Sequence, residues 1–185
     1  VQDEESAKRL RRLREHGMNV SAADRHALGG AVLESYVETG FNYRLTDIQA
    51  AVGLVQLGRL DAVIARRREL AARYQALLSG VPGLVVARDP EHGTTNYQSF
   101  WVLLPDDFPV SRNRLLELMQ EAGISCRRGI MAAHLQPAYA GHPHTDLPVT
   151  EQLTEQSLIL PLFHDLTESD QDRVVSVLIE AAGRW

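Results

Sequence analysis

The sequence predicts a fold of the α/β to α+β class, a small sheet with helices on one side, extended by one long helix. Three observations carry that expectation. A loosely helical apolar pattern runs from Thr46 to Ser79-Gly80. After Val81-Pro82-Gly83 the texture changes to alternation. From there strands and helices follow in mixed order, which indicates an α+β layer.

Taken along the chain, residues 3–16 read as a helix, with Leu10 and Leu13 among charges and Gly17 as the stop. Residues 17–43 read as irregular, punctuated by Gly29-Gly30 and Gly40, with a short strand at 33–37. An irregular stretch of that size is long for a compact domain, and such stretches tend to be functional or to pack on something else. Thr46 is a good N-cap with Gln49 three residues later, a capping box. The helix it opens carries Ile48, Val52, Val55, Leu60, Ile64, Leu70, Tyr74 and Leu77. Unbroken, it measures roughly 50 Å, too long for a small domain to cover, so it is expected to bridge two domains, with Gly53 or Gly58 marking a bend. Strands are expected at 84–87 and 97–104, the second rich in aromatic and β-favouring residues. A helix at 111–122, a strand at 124–127 and a loop over 130–148 follow. A short helix at 150–156, a strand at 158–160 and a helix at 168–182 complete the order. The last is capped by Thr167 with Asp170 at its third position. Phe100 and Trp101 read together as core on one face, not as a base-stacking platform.

The chain has 185 residues and a formal net charge of -5, spread along its length. That balance offers no basic face for nucleic acid. The basic run around Lys8 reads as the solvated side of a helix. One cysteine, Cys126, leaves no internal disulfide framework and fits a reducing cytoplasm. No apolar run approaches the ~18 residues needed to span a bilayer, and the N-terminus has no signal-like apolar region. It also lacks an initiator Met; a natural chain could begin so after processing, and a fragment whose front part lies elsewhere is expected at least as much.

Chemistry concentrates before the long helix. Gly40-Phe41-Asn42-Tyr43-Arg44-Leu45-Thr46-Asp47 puts an amide, a phenol and a guanidinium at a helix N-terminus. Helix dipole and guanidinium both favour an anion such as phosphate or carboxylate. Turn and cap residues also cluster before any helix, so an Arg44–carboxylate pair and an Asn42 turn stand beside that reading. His142, His144 and Asp146 are metal-ligand types in one loop, but a metal site wants a fourth ligand, and a polar surface loop is the ordinary explanation. The arginines near Cys126 would lower its pKa, yet no Cys–His–Asx arrangement surrounds it, and it reads as a half-buried strand residue.

The run GFNYRLTDIQAAVGLVQLGRLDAVIARRRELAARY closely resembles the DegT/DnrJ/StrS-type family of sugar aminotransferases, fold-type I enzymes dependent on pyridoxal 5'-phosphate (PLP). The resemblance extends to RLRRLREHGMNVSAADRH upstream, and to GISCRRGIMAAHLQPAY and LPVTEQLTEQSLILPLFHDLTESDQDRV downstream. It implies an amino transfer from an amino acid such as glutamate to a nucleotide-linked keto-sugar, in a cytoplasmic homodimer with a shared active site. It also implies a remnant of the large PLP-binding domain over 1–45, an interdomain helix over 46–79 and a C-terminal small α+β domain over 80–185. In the family, the segment matching Asn42 and Arg44 reaches the PLP phosphate of the neighbouring subunit. Tyr43, as a lining residue, Arg127 and His134 are implied as substrate contacts, with Arg128 beside Arg127; paired arginines at a strand end are more often surface pairs. The family's Schiff-base lysine lies upstream of the matched part, and the chain's single lysine, Lys8, is no replacement. The implied whole is an aminotransferase, and this chain alone is expected to be inactive. The rival expectation is a non-catalytic dimerisation or ligand-sensing module built on the same fold.

Overall fold

The computed structural model describes residues 2–20 and 33–183; the expected punctuation at Gly29-Gly30 lies outside them. The chain divides into two compact units, Val1–Gly58 and Arg59–Trp185.

Among the described residues the first unit holds two helices. Helix α1 (Glu4–Leu13) starts where Asp3 accepts the Ser6 amide at 2.8 Å, satisfying a donor that the first helical turn leaves free. Helix α2 (Asp47–Leu57) opens on the expected capping box: Gln49 N–H donates to Thr46 Oγ1 at 3.3 Å, and Thr46 N–H to Gln49 Oε1 at 2.9 Å. The expected strand at 33–37 is reduced to one isolated bridge between Met18 and Tyr36.

The single helix expected over 46–79 is interrupted. Helix α2 stops at Leu57, and α3 (Leu60–Leu78) begins beyond Gly58-Arg59. Glycine is among the poorest helix formers, and Arg59 provides no side-chain cap to α3. The two halves also differ in burial. Helix α2 has no buried residue, whereas α3 buries Leu70, Ala71, Tyr74 and Leu78.

The second unit is a four-stranded antiparallel sheet with helices against its inner face. Its strands are β1 (Val85–Val86), β2 (Phe100–Leu103), β3 (Arg127–Arg128) and β4 (Ser157–Leu160), in the spatial order β1-β2-β4-β3. The remaining helices are α4 (Arg112–Glu121), α5 (Pro148–Gln156) and α6 (Glu168–Ala181). Two short 3-10 turns, Ala133–Leu135 and Pro137–Tyr139, lie in the expected loop. The register sets Phe100 opposite Leu160 and Val102 opposite Leu158. These four side chains face inward onto Leu70, Tyr74, Leu115, Met119 and Leu178 of the three long helices. Apolar area removed from water stabilises by ~25 cal/mol per Å², so this layer is the main source of the unit's stability. Tyr74 is buried as well, and its hydroxyl donates to the Pro161 carbonyl at 3.0 Å. Helix α6 opens on the second capping box, Thr167 with Asp170.

Phe100 and Trp101 do not share a face. Side chains alternate along a strand, so Phe100 is fully buried and Trp101 is 40% exposed on the outer face. The strand expected at 124–127 begins only at Arg127, so Cys126 precedes it.

Candidate functional site

Within the first unit, Asn42–Arg44 is positioned by a close approach of two chain segments. Gly17 adopts φ +77, and a Cβ there would lie 1.9 Å from the Glu38 carbonyl oxygen. A Cβ on Gly40 would lie 2.2 Å from the Gly17 nitrogen. Only glycine tolerates both conditions. The approach lets His16 N–H donate to the Phe41 carbonyl at 3.0 Å and Tyr43 N–H to that of Arg14 at 2.9 Å. Residues Glu15 and Asn42 form a bridge between the segments. Glu38 fastens them from the side, accepting from Arg12 and, at 3.2 Å, from Arg9 Nε. The Arg12 hydrogen bond, reinforced by Arg9, holds the Glu38 carboxyl below its ordinary pKa.

The side chains so presented are exposed. Arg44 Nε donates to Asn42 Oδ1 at 3.2 Å, which orients the guanidinium beside the amide. The Tyr43 ring stacks on Phe41 with centroids 5.2 Å apart. The Arg44–carboxylate pair that the sequence left open is not made among the described residues. The capping box occupies the Thr46 and Gln49 amides, and Asp47 adds a negative charge to the first turn. An anion here would therefore be met chiefly by Arg44 and Asn42, with the α2 dipole as a lesser contribution. Lys8 lies in the same unit as a solvated residue, its ammonium 2.9 Å from Glu4 and its side chain 70% exposed.

In the second unit, a groove of about 900 Å³ opens on the outer face of the sheet. Trp101, Ile159 and Arg127 form one row across it, because Trp101 pairs with Ile159 and Arg127 pairs with Ile159 from the other side. Arg128, Ile130, Met131 and Leu153 contribute further lining. Gly129 keeps β3 close to β4: its N–H donates to the Ser157 carbonyl at 2.9 Å, and a Cβ there would sit 1.7 Å from Ser157 Oγ. A second recess of about 470 Å³ shares Gln98, Ser99, Arg127 and Ile159 with the groove.

His134 is placed apart from this row. Its side chain is 9% exposed, with Nε2 3.0 Å from Glu151 Oε1 and its ring 4.8 Å from that of His144. The geometry makes it a fastener between the loop and α5. His142 meets the Tyr139 ring, 5.7 Å away. Among the described residues, no group of three His, Cys, Asp or Glu side chains is arranged to hold a metal ion. Cys126 is half-buried, and burial pushes its thiol up to about 12. Desolvation by burial is the cause of that rise.

Sequence reasoning missed Trp101, Gln98 and Ser99 as groove residues. The signal was available for Trp101, since strict alternation from a buried Phe100 points the next side chain outward.

The family model described as the DegT/DnrJ/EryC1/StrS aminotransferase family matches residues 1–179. Solved structures agree with it. The aminotransferase TlmJ from Streptoalloteichus hindustanus is 30% identical, with a TM-score of 0.79 over 97% of this chain and 45% of its own. DesV from S. venezuelae, solved with a ketimine intermediate, is 31% identical, with a TM-score of 0.79 over 99% of this chain and 46% of its own. DesI, solved in the presence of its TDP-sugar product, is 28% identical, with a TM-score of 0.82 over 100% of this chain and 44% of its own. The chain thus spans about half the length of the solved proteins it matches. The match runs through both units, from α1 into the last helix, and the chain belongs to the DegT/DnrJ/EryC1/StrS aminotransferase family.

Proposed function

We propose that this chain is part of a PLP-dependent aminotransferase that moves an amino group from an amino acid, glutamate foremost, onto a nucleotide-linked keto-sugar. The observation that carries this reading is the exposed Asn42–Arg44 pair before α2, in a chain whose family depends on PLP. The donor set suits a phosphate: a guanidinium with no carboxylate partner among the described residues and an amide beside it. In this reading Asn42 and Arg44 hold the PLP phosphate of a neighbouring subunit in a homodimer, and Tyr43 lines the site. When bound, PLP supplies the electron sink that the transfer requires. Arg127, on the groove of the second unit, meets the substrate. The small domain is read as 80–185, with 46–79 as the interdomain segment and 1–45 as part of the large domain.

A TDP-sugar product in DesI supports the substrate class. The solvated state of Lys8 supports the further reading that these 185 residues do not transaminate alone. A catalytic amine needs a desolvated or charge-assisted setting, which an exposed pair with Glu4 does not supply. Two measurements test the proposal. The intact protein with PLP, glutamate and a nucleotide-linked keto-sugar should release 2-oxoglutarate and an amino sugar, each detected by mass. The 185-residue chain mixed with PLP and borohydride should gain no more adduct on Lys8 than an exposed lysine of a short peptide gains under the same conditions. Absence of amino-sugar product across uridine- and thymidine-linked keto-sugars overturns the first, and a stoichiometric Lys8 adduct the second.

A further inference from the structure

We infer that Glu38 is a positioning residue for the phosphate site: by gripping Arg9 and Arg12 of α1 it fixes the segment that presents Asn42 and Arg44. That role rests on the reading above, in which the pair holds the phosphate of PLP.

The segment takes its place from the end of α1. The last carbonyls of a helix have no partner within it. Here the Phe41 amide donates to the Leu13 carbonyl at 2.7 Å, and the Tyr43 amide to that of Arg14 at 2.9 Å. Before them, the Val37 amide donates to the Gly17 carbonyl at 3.0 Å. Residues 37–43 are therefore laid against the end of α1, and Asn42 and Arg44 stand where α1 puts them. Gly17 and Gly40 let the two backbones meet, since a Cβ on either would strike the other segment. They permit the approach without holding it, for neither has a side chain to contribute.

Glu38 supplies the hold. Arg12 Nε donates to Glu38 Oε1 at 2.6 Å, and Arg12 Nη2 donates to the same oxygen. Arg9 Nε donates to Oε2 at 3.2 Å. Residues three apart share one face of a helix, so a single carboxylate meets both guanidiniums with separate oxygens. An isolated surface ion pair contributes little; good geometry and a network are what raise it. Both are met, because the Glu38 side chain is only 22% exposed and both of its oxygens are engaged. The Arg12 hydrogen bond holds its carboxyl below the ordinary range, so it is ionised at neutral pH.

Little else fixes these residues. Met18 is the one buried hydrophobic residue of the first unit among those described, and Phe41 and Tyr43 stack on each other while exposed. The Arg44 side chain reaches Asn42 Oδ1 at 3.2 Å, a residue of the same segment, so that bond cannot anchor the segment to α1. Ordering a mobile side chain or loop at the moment of binding lowers affinity, and a donor already in place avoids that loss. The ion-paired carboxylate near the start of the segment thus governs how well the guanidinium at its end receives an anion.

The test titrates the intact protein with PLP and with pyridoxal, which lacks the phosphate, and follows the absorbance change on binding. E38Q should weaken PLP about three- to tenfold, the scale of one net hydrogen bond, and leave pyridoxal unchanged. E38D keeps the charge and should recover part of the loss. In an R44Q background E38Q should add little, because residues that act through one another are not additive. Wild-type PLP affinity in E38Q overturns the inference. Equal losses for PLP and pyridoxal do the same, since they mark a general role in folding, and so does full additivity with R44Q. If E38Q does not fold, R9Q removes one tie and keeps the other: a smaller loss confined to PLP supports the role, and any other result sinks it. If R44Q weakens PLP and E38Q does not, the functional reading stands and the role of Glu38 falls. If R44Q leaves PLP affinity intact, the functional reading fails. Glu38 is then judged by amide exchange at Phe41 and Tyr43, where faster exchange in E38Q upholds its hold on the segment and unchanged exchange refutes it.

Discussion

Cys126 and Glu38 are two side chains whose chemistry is decided by a few neighbours. Cys126 sits beside Arg127 and Arg128, and on sequence those cations argue for a reactive thiolate. Burial wins, with the pKa pushed up to about 12. The folded chain then holds roughly a thousandfold less thiolate than a free cysteine at the same pH. Iodoacetamide at pH 8 should leave Cys126 largely unmodified in the folded protein and alkylate it promptly in guanidinium, as read by mass. Fast alkylation of the native state would reverse the assignment. Glu38 shows the opposite shift, downward from its ordinary value of 4.5, caused first by its hydrogen bond with Arg12. A carboxyl with a depressed folded pKa binds protons more weakly in the native than in the unfolded state, so its contribution is present above the unfolded pKa. That contribution is lost as pH falls through the folded value. The tie between α1 and the segment around Glu38 should loosen below about pH 4.5. E38Q should remove that acid-side dependence in amide-exchange measurements on residues 36–43, while leaving the neutral-pH behaviour of the second unit unchanged.

Elements show what was legible and why the rest was not. Both capping boxes, at Thr46 and Thr167, were readable because their logic is local: four residues suffice to satisfy the free amides of a helix start. The break at Gly58-Arg59 was legible only as a bend. Stopping a helix depends on whether packing beyond the glycine recovers what its poor propensity costs, and that balance is tertiary. Trp101 was misread because two adjacent aromatics look like one core patch until the strand's alternation is applied. The Asn42–Arg44 pair was visible in order of residues, but the Gly17–Gly40 approach that presents it joins segments more than twenty positions apart. The sheet edge offers a test at this scale. Gly129→Ala would push a Cβ into Ser157, so β3 must move from β4 or Ser157 must turn. The change should destabilise by about 1–3 kcal/mol and deform the groove beside Arg127. Leu70→Ala on α3, a nearly fully buried site, should cost about 2–5 kcal/mol without touching the groove. Chemical denaturation separates the two: both lower stability, and only Gly129→Ala also weakens substrate binding in the intact protein.

At the scale of the molecule, the two units are stabilised by unequal means. The second carries a continuous core drawn from three helices and the inner sheet face. In the first, Met18 is the one buried hydrophobic residue among those described. Helix α2 carries Ile48, Val52, Leu54, Val55 and Leu57, all exposed, and Leu33, Val37 and Phe41 are exposed in the same unit. A helix apolar on most sides is ordinarily buried in something. Contiguous exposed apolar surface of this kind marks an interaction surface or an aggregation liability. Solved members of the family match this chain over about half of their own length, so the covering proposed for α2 is protein. A chain of these 185 residues should therefore associate in a concentration-dependent way and bind the dye ANS. The double substitution I48E/V52E places two like charges four residues apart on α2. Repulsion within the helix costs only a few tenths of a kcal/mol, whereas an apolar interface would have to bury both charges unpaired, at far greater cost. Light scattering should thus shift the variant toward a smaller species and its ANS signal should fall. Amide exchange in Phe100–Leu103 and Ser157–Leu160 should stay as slow as in the parent, because that sheet has a core of its own within the second unit. A parent chain that runs as a monomer at high concentration, with slowly exchanging α2 amides, would show that the helix finds its cover within its own unit.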